Sequence, residues 1–241
     1  MGKEWQQRSS LLLGEGRMEK LRQARVLIVG LGGVGAYAAE MCCRAGVGSL
    51  TLVDGDCITE TNRNRQLPAL VSTLGRPKTE VLRERFSDIN PEADIRIRTA
   101  FLNETDMEPL LQSEPFDYVI DAIDSVGPKV ALLANCVRMG IPVVSAMGAG
   151  EKTDPSRIRC RDISQTNQCK LAAAVRLRLR KAGISHGVEV IFSDEARQER
   201  PADAPHEQAI GSISYLTALF GCWCASVCLR RLAGIAFDRN K

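Results

Sequence analysis

Four glycines carry the first chemical signal in this chain. They lie in Gly30-Leu31-Gly32-Gly33-Val34-Gly35, directly after the apolar run Val26-Leu27-Ile28-Val29 and before a helical stretch reaching about Arg44. A glycine-rich turn between a strand and a helix lets backbone N–H groups and the helix's positive end approach phosphate, where larger side chains would obstruct. Asp54 ends the next strand, Leu50-Thr51-Leu52-Val53, at a place where a carboxylate accepts hydrogen bonds from ribose hydroxyls. Nucleotide binding follows, but these features alone do not separate NAD from ATP. The residues that follow favour ATP. Asn62-Arg63-Asn64-Arg65-Gln66 and Lys78 supply cations for a triphosphate, and Asp121-Ala122-Ile123-Asp124 offers a carboxylate at a strand's C-terminal end for Mg²⁺. A dehydrogenase needs no such cluster; a non-catalytic nucleotide-binding scaffold stays open at this point, and ATP consumption with AMP release would exclude it.

Taken in this order, the set resembles the ubiquitin-activating-like adenylyltransferases, which include the molybdopterin-synthase and thiamine sulfur-carrier adenylyltransferases. The resemblance covers residues 8–150. It implies that the glycine turn (Gly30, Gly32, Gly33, Gly35) binds ATP, that Asp54 and Asp56 flank the ribose, and that Asn64, Arg65 and Gln66 lie along the nucleotide. It further implies that Lys78 touches phosphate and that Asp124 holds Mg²⁺, so that Arg65, Lys78 and Asp124 carry catalysis. Arg8, in Gln7-Arg8-Ser9, matches a family arginine that reaches the triphosphate of a neighbouring subunit, which implies a homodimer. An extended segment ahead of the first strand would deliver it.

One branch of that family, the tRNA threonylcarbamoyladenosine dehydratases, is similar over nearly the whole chain. The residues that carry the likeness are Leu12-Leu13-Gly14-Glu15, Asp121-Ala122-Ile123-Asp124-Ser125 with Pro128-Lys129, Gly148-Ala149-Gly150, Thr153-Asp154-Pro155 and Asp162-Ile163. The resemblance implies adenylation of a threonyl carboxylate on tRNA, then intramolecular attack with loss of AMP, a net dehydration that leaves a cyclised adenosine in the anticodon loop. Charge agrees with such a substrate: Arg157, Arg159, Arg161, Lys170, Arg176, Arg178, Arg180 and Lys181 stand against the single acid Asp162 in residues 157–181. Such a cluster can neutralise a phosphate backbone, although Arg176, Arg178 and Arg180 spread around a helix and no aromatic residue interleaves them. The alternative is adenylation of the C-terminus of a small ubiquitin-like sulfur carrier, and a sulfur-relay protein partner is left open. Enzymes of that kind commonly carry paired Cys-x-x-Cys motifs for zinc. Here Cys42-Cys43 is adjacent and Cys222, Cys224 and Cys228 fall in an apolar stretch, which reads as core thiols, with His186 and His206 both in polar loop sequence.

These groups need a scaffold that brings strand ends together. Apolar strands at 26–29, 50–53, 95–97, 118–120 and 142–145 alternate with helical spacing at 78–89 and 129–139. That alternation predicts an α/β, Rossmann-like, mostly parallel sheet flanked by helices, with a C-terminal extension. We expect one adenylyltransferase-type domain over residues 1–241, with a nucleotide-binding part at 1–150 and a substrate-binding extension and closing helix at 151–241. In that extension, residues 171–181 read as a basic helix and 194–207 as a mobile crossover loop. Residues 209–229 carry no charge, but their glycines, serines and threonine favour a helix buried in protein over a membrane span. Nine cysteines with no apolar leader at Met1-Gly2-Lys3-Glu4-Trp5 read as reduced thiols of a cytoplasmic protein. Lys and Arg together number 32 against 29 for Asp and Glu, too even a balance to name a partner by itself.

Overall fold

The computed structural model describes residues 4–198 and 210–236. Seven strands form one sheet: β1 (Arg25–Val29), β2 (Ser49–Val53), β3 (Asp94–Arg98), β4 (Tyr118–Asp121), β5 (Val143–Ala146), β6 (Ile158–Asp162) and β7 (Glu189–Ser193). Their spatial order is β3-β2-β1-β4-β5-β7-β6, and every neighbouring pair is parallel except β6 with β7. The chain winds outward from β1 through β2 to β3, then returns to β1's other side for β4. That reversal opens a crevice beyond the carboxyl ends of β1 and β4, where open α/β sheets bind ligands.

β1 and β4 read as unbroken apolar runs because both faces of the sheet are covered. On one face α3 (Gly35–Arg44), α4 (Lys78–Ile89) and α8 (Ser214–Leu232) bury Val26, Ile28, Leu50, Leu52 and Ile120. On the other, α5 (Met107–Gln112), α6 (Val126–Met139) and α7 (Lys170–Lys181) bury Leu27, Val29, Val119, Val143 and Val190. The uncharged C-terminal stretch forms α8, with Leu216, Phe220, Cys224 and Cys228 buried. It presses on the start of α3: a Cβ on Gly221 would lie 2.4 Å from the Val34 carbonyl oxygen. No helix among the described residues is long and apolar enough to cross a membrane.

Three features differ from the sequence reading. β6 and β7 were not anticipated as strands, yet they extend the sheet that β1 to β5 begin. The reason lies in β6, where buried Ile158 and Cys160 alternate with arginines, the pattern of an edge strand covered on one side. The segment before β1 is helical rather than extended, comprising α1 (Gln7–Leu13) and α2 (Glu15–Gln23). It is anchored by buried Gln6, whose amide fills the space beside Gly46, where a Cβ would lie 2.2 Å from Gln6 Nε2. Of the crossover loop expected at 194–207, residues 199–207 lie outside the described residues, while Asp194 and Glu195 are fixed by ion pairs and hydrogen bonds.

Candidate nucleotide site

The turn after β1 is shaped by backbone contacts. Gly30 has φ +87°, and a Cβ there would lie 2.6 Å from the Ala122 carbonyl oxygen, so only glycine lets the β1 turn meet the β4 turn. Gly35 is a packing glycine beneath the turn, where a Cβ would fall 1.8 Å from the Gly30 carbonyl oxygen. Gly32 faces open space, its nearest neighbour being Gln66 Nε2 at 3.8 Å. Gly33 sits between Arg65 Cγ and Thr217, each 3.1–3.2 Å from its Cβ position. A cleft of about 730 Å³ opens at this turn.

Asp54 closes the turn from β2. Its Oδ2 accepts from Leu31 N at 2.6 Å and its Oδ1 from Asp56 N at 2.7 Å, which fixes the carboxylate against the glycine loop. Lys78, the first residue of α4, is buried and donates to Asp56 Oδ2 at 2.6 Å, with Asp54 Oδ1 at 3.9 Å. Arg65 is braced by the Thr61 carbonyl at 3.1 Å and by Asn64 Oδ1 at 2.8 Å. Gln66 lines the cleft with a buried Oε1 that has no hydrogen-bond partner. Asn64 does not line it; its Nδ2 donates to the Ser212 carbonyl at 3.2 Å, tying this segment to the chain entering α8.

The two carboxylates at the end of β4 have separate fates. Asp124 is exposed at the cleft and has no ion-pair partner among the described residues. Asp121 is fully buried and paired with Lys129, also fully buried, at 2.8 Å. Its Oδ2 also accepts from Ser145 Oγ at 2.5 Å and its Oδ1 from Ile123 N at 3.0 Å, while Lys129 Nζ donates to the Ile123 carbonyl at 2.8 Å. The Ala122–Ile123 backbone that presents Asp124 is thus held from below by an ion pair. Sequence reasoning missed Lys129's part. Its signal was phase: residues 129, 132, 133 and 136 share one helix face, so a lysine stands on a stripe with Leu132, Leu133 and Cys136.

Other sequence candidates lie elsewhere. Arg8 is exposed on α1, at the end of the sheet opposite its own chain's cleft, as the anchoring of Gln6 beside Gly46 requires. The basic segment divides. Arg157 and Arg159 share Asp194 at 2.6 and 3.1 Å, and Arg176 turns back to the Thr166 carbonyl at 2.9 Å. Lys170, Arg178, Arg180 and Lys181 stay exposed without carboxylate partners among the described residues. Cys42, Cys43, Cys224 and Cys228 are buried, and burial pushes the Cys43 thiol up to about 12. Among the described residues no group of three or more His, Cys, Asp or Glu side chains is placed to hold a metal ion.

The model of the ThiF family matches residues 6–241. Among curated proteins, the tRNA threonylcarbamoyladenosine dehydratase of Bacillus subtilis is 45% identical over 189 residues, covering 78% of this chain and 74% of the relative. Among solved structures, Escherichia coli tRNA N6-threonylcarbamoyladenosine dehydratase in complex with AMP superposes with a TM-score of 0.88 at 37% identity, covering 97% of this chain and 96% of that one. The same E. coli protein in complex with ATP gives a TM-score of 0.87 at 37% identity, with the same coverage.

Proposed function

We propose, for a chain that belongs to the ThiF family, that it is an ATP-dependent tRNA threonylcarbamoyladenosine dehydratase. The observation that carries this reading is the cleft at the β1–β4 reversal. There an open glycine turn, Arg65, Lys78 and Asp124, which has no ion-pair partner among the described residues, converge in a chain of which 97% aligns with a structure holding AMP.

Backbone N–H groups at Gly32 and Gly33 take the phosphates, Asp54 and Asp56 the ribose, and Gln66 the space beside the turn. Arg65 and Lys78 neutralise charge as the α-phosphate is attacked. Mg²⁺ fits Asp124, an exposed carboxylate at the phosphate end of the cleft with no competing cation among the described residues, and it would supply charge neutralisation on the phosphate oxygens. An oxygen of the threonyl carboxylate attacks the α-phosphorus and pyrophosphate leaves, giving an acyl-adenylate. A nucleophilic atom of the same modified side chain then attacks the acyl carbon, loses its proton and expels AMP. The net change is loss of one water from the nucleoside, driven by conversion of ATP to AMP and pyrophosphate.

Arg8 is too remote to serve its own cleft, so we assign it to the triphosphate of a partner copy in a cytoplasmic homodimer. Residues 1–150 then carry the nucleotide-binding part, and residues 151–241 the substrate-binding extension and the closing helix. The test is nucleoside mass analysis of modified tRNA incubated with protein and MgATP. A species lighter by one water, formed with AMP, is expected from the wild type, and Asp124→Ala should slow it by about a hundredfold or more. Near-normal conversion by that variant would remove Asp124 from the mechanism, and an unchanged nucleoside would refute the function.

A further inference from the structure

We propose that a second cavity, on the outer edge of the sheet, binds one unstacked nucleotide of the RNA substrate, its phosphate on Arg161 and its base edge on the amides of Gln165 and Asn167. This rests on the tRNA reading above and locates where RNA leaves the nucleotide cleft. Along β6, Ile158 and Cys160 point into the core under α8, so Arg159 and Arg161 leave the sheet on the α7 side. With Gln165, Asn167, Phe192 and Asp194 they line a cavity of about 270 Å³. That lies just below the roughly 300–1,000 Å³ of drug-sized ligand sites, the scale of one nucleotide rather than of a longer strand.

The chain segment 167–171 runs as a wall from the cavity to the ATP cleft. Gly148 and Leu171 line the cleft, and Cys169 Sγ is 3.4 Å from the Cβ position of Gly148, whereas Asn167, two residues earlier, lines the second cavity. Two cations hold this wall by its carbonyls: Lys152 Nζ donates to Gln168 O at 3.0 Å and Arg176 Nη1 to Thr166 O at 2.9 Å. Gln168 lies in the left-handed region at φ +50°, a conformation that disfavours a side chain and that these contacts maintain. An RNA strand with its reactive adenosine in the cleft would therefore meet a preformed second pocket one short wall away.

The polar groups in the cavity are unequally committed. Arg159 is taken up by Asp194 and by the Ser156 and Ile158 carbonyls, and Asp194 is neutralised by Arg157 as well. Arg161 donates only to the Cys160 carbonyl, at 3.0 Å, and the Gln165 and Asn167 side chains are exposed with no hydrogen bond among the described residues. A guanidinium pairs with phosphate in a two-point contact, and an amide can both donate to and accept from one base edge. An acidic protein surface would call for cations alone. Phe192 is only 2% exposed, so recognition is by base edge rather than by stacking.

The test compares Arg161→Ala with the double variant Gln165→Ala/Asn167→Ala on the modified tRNA, with ATP affinity and thermal unfolding measured alongside. Both variants should raise KM for tRNA about tenfold while ATP affinity and kcat at saturating tRNA stay unchanged. Arg161→Ala should also lower the slope of log affinity against log salt by about 1, and the amide variant should leave it unchanged. Unchanged KM in either variant overturns the nucleotide pocket. If the wild type cyclises no tRNA, the functional reading fails separately, and equilibrium binding of the anticodon stem-loop by the same variants still decides the cavity. Intact RNA binding together with lost binding of an acidic carrier protein would assign it to a protein partner and overturn the proposal.

Discussion

Replacing Lys129 by methionine should cost the fold about 3–5 kcal/mol, because it leaves Asp121 as a buried charge without its partner. Both side chains are fully buried and 2.8 Å apart. At an effective dielectric constant of about 20, that separation gives roughly 6 kcal/mol of attraction, comparable to the several kcal/mol per ion lost on leaving water. The pair is therefore nearly neutral as a pair and costly to break. Asp121→Asn should cost a similar amount, since Lys129 would keep only the Ile123 carbonyl. The double variant Asp121→Asn/Lys129→Met removes both charges and should fall within about 2 kcal/mol of the wild type, a coupling of several kcal/mol. Urea unfolding of the four proteins at neutral pH measures this, read from midpoints at constant slope. A Lys129→Met cost below about 1 kcal/mol, or single costs that simply add, would refute the account of a buried, mutually compensating pair. The same variant should slow AMP formation beyond its effect on folding, because Lys129 holds the carbonyl of the residue before Asp124.

The glycine turn gives a paired expectation. Gly35→Ala should lower thermal stability sharply, since its Cβ would meet the Gly30 carbonyl at 1.8 Å, whereas Gly32→Ala has room, should unfold normally, and should weaken ATP binding at least tenfold by calorimetry. A Gly32→Ala protein with normal ATP affinity would move the phosphates elsewhere. Mixing Arg8→Ala with Asp124→Ala subunits should restore part of the activity that each lacks alone, through one intact composite site; exchange without recovery would confine Arg8 to its own chain or to no role. Reversing Arg178, Arg180 and Lys181 to Glu should flatten the salt dependence of tRNA binding, and an unchanged slope would return this helix end to plain solvation. At Glu195, burial raises the carboxyl pKa, but donors from Asp154 N at 2.9 Å, Gln198 and Thr153 outweigh it and hold it below 4.5. Its contribution is therefore complete above about pH 4.5 and is lost as the pH falls through the lowered value, so Glu195→Gln should flatten part of the acid limb of a Tm–pH profile.

By itself the sequence determined the parts whose signals are local. The strand–glycine turn–helix at 26–44 is legible because a β-branched run, tight-turn glycines and helical spacing each act over a few residues. Asp54 and Lys78 follow from the ends of such elements, and α8 from an uncharged stretch too rich in small polar residues for a membrane. What the tertiary structure decided concerns partners far apart in the chain. β6 becomes a strand only because β7, whose residues lie some thirty positions on, pairs with it antiparallel. Lys129 and Asp121, each readable as an ordinary surface charge, become a buried pair only when α6 lies on β4 and β5. Arg8 looked like part of a free arm until Gln6 anchored the helices before β1 at the far end of the sheet. Arg159, Arg161 and Arg176 are equal in composition, but Asp194 and the Thr166 carbonyl take up two of them, while the third meets only the neighbouring Cys160 carbonyl among the described residues. Periodicity and turn chemistry are properties of neighbouring residues, whereas register and charge pairing are fixed only when distant segments share one core.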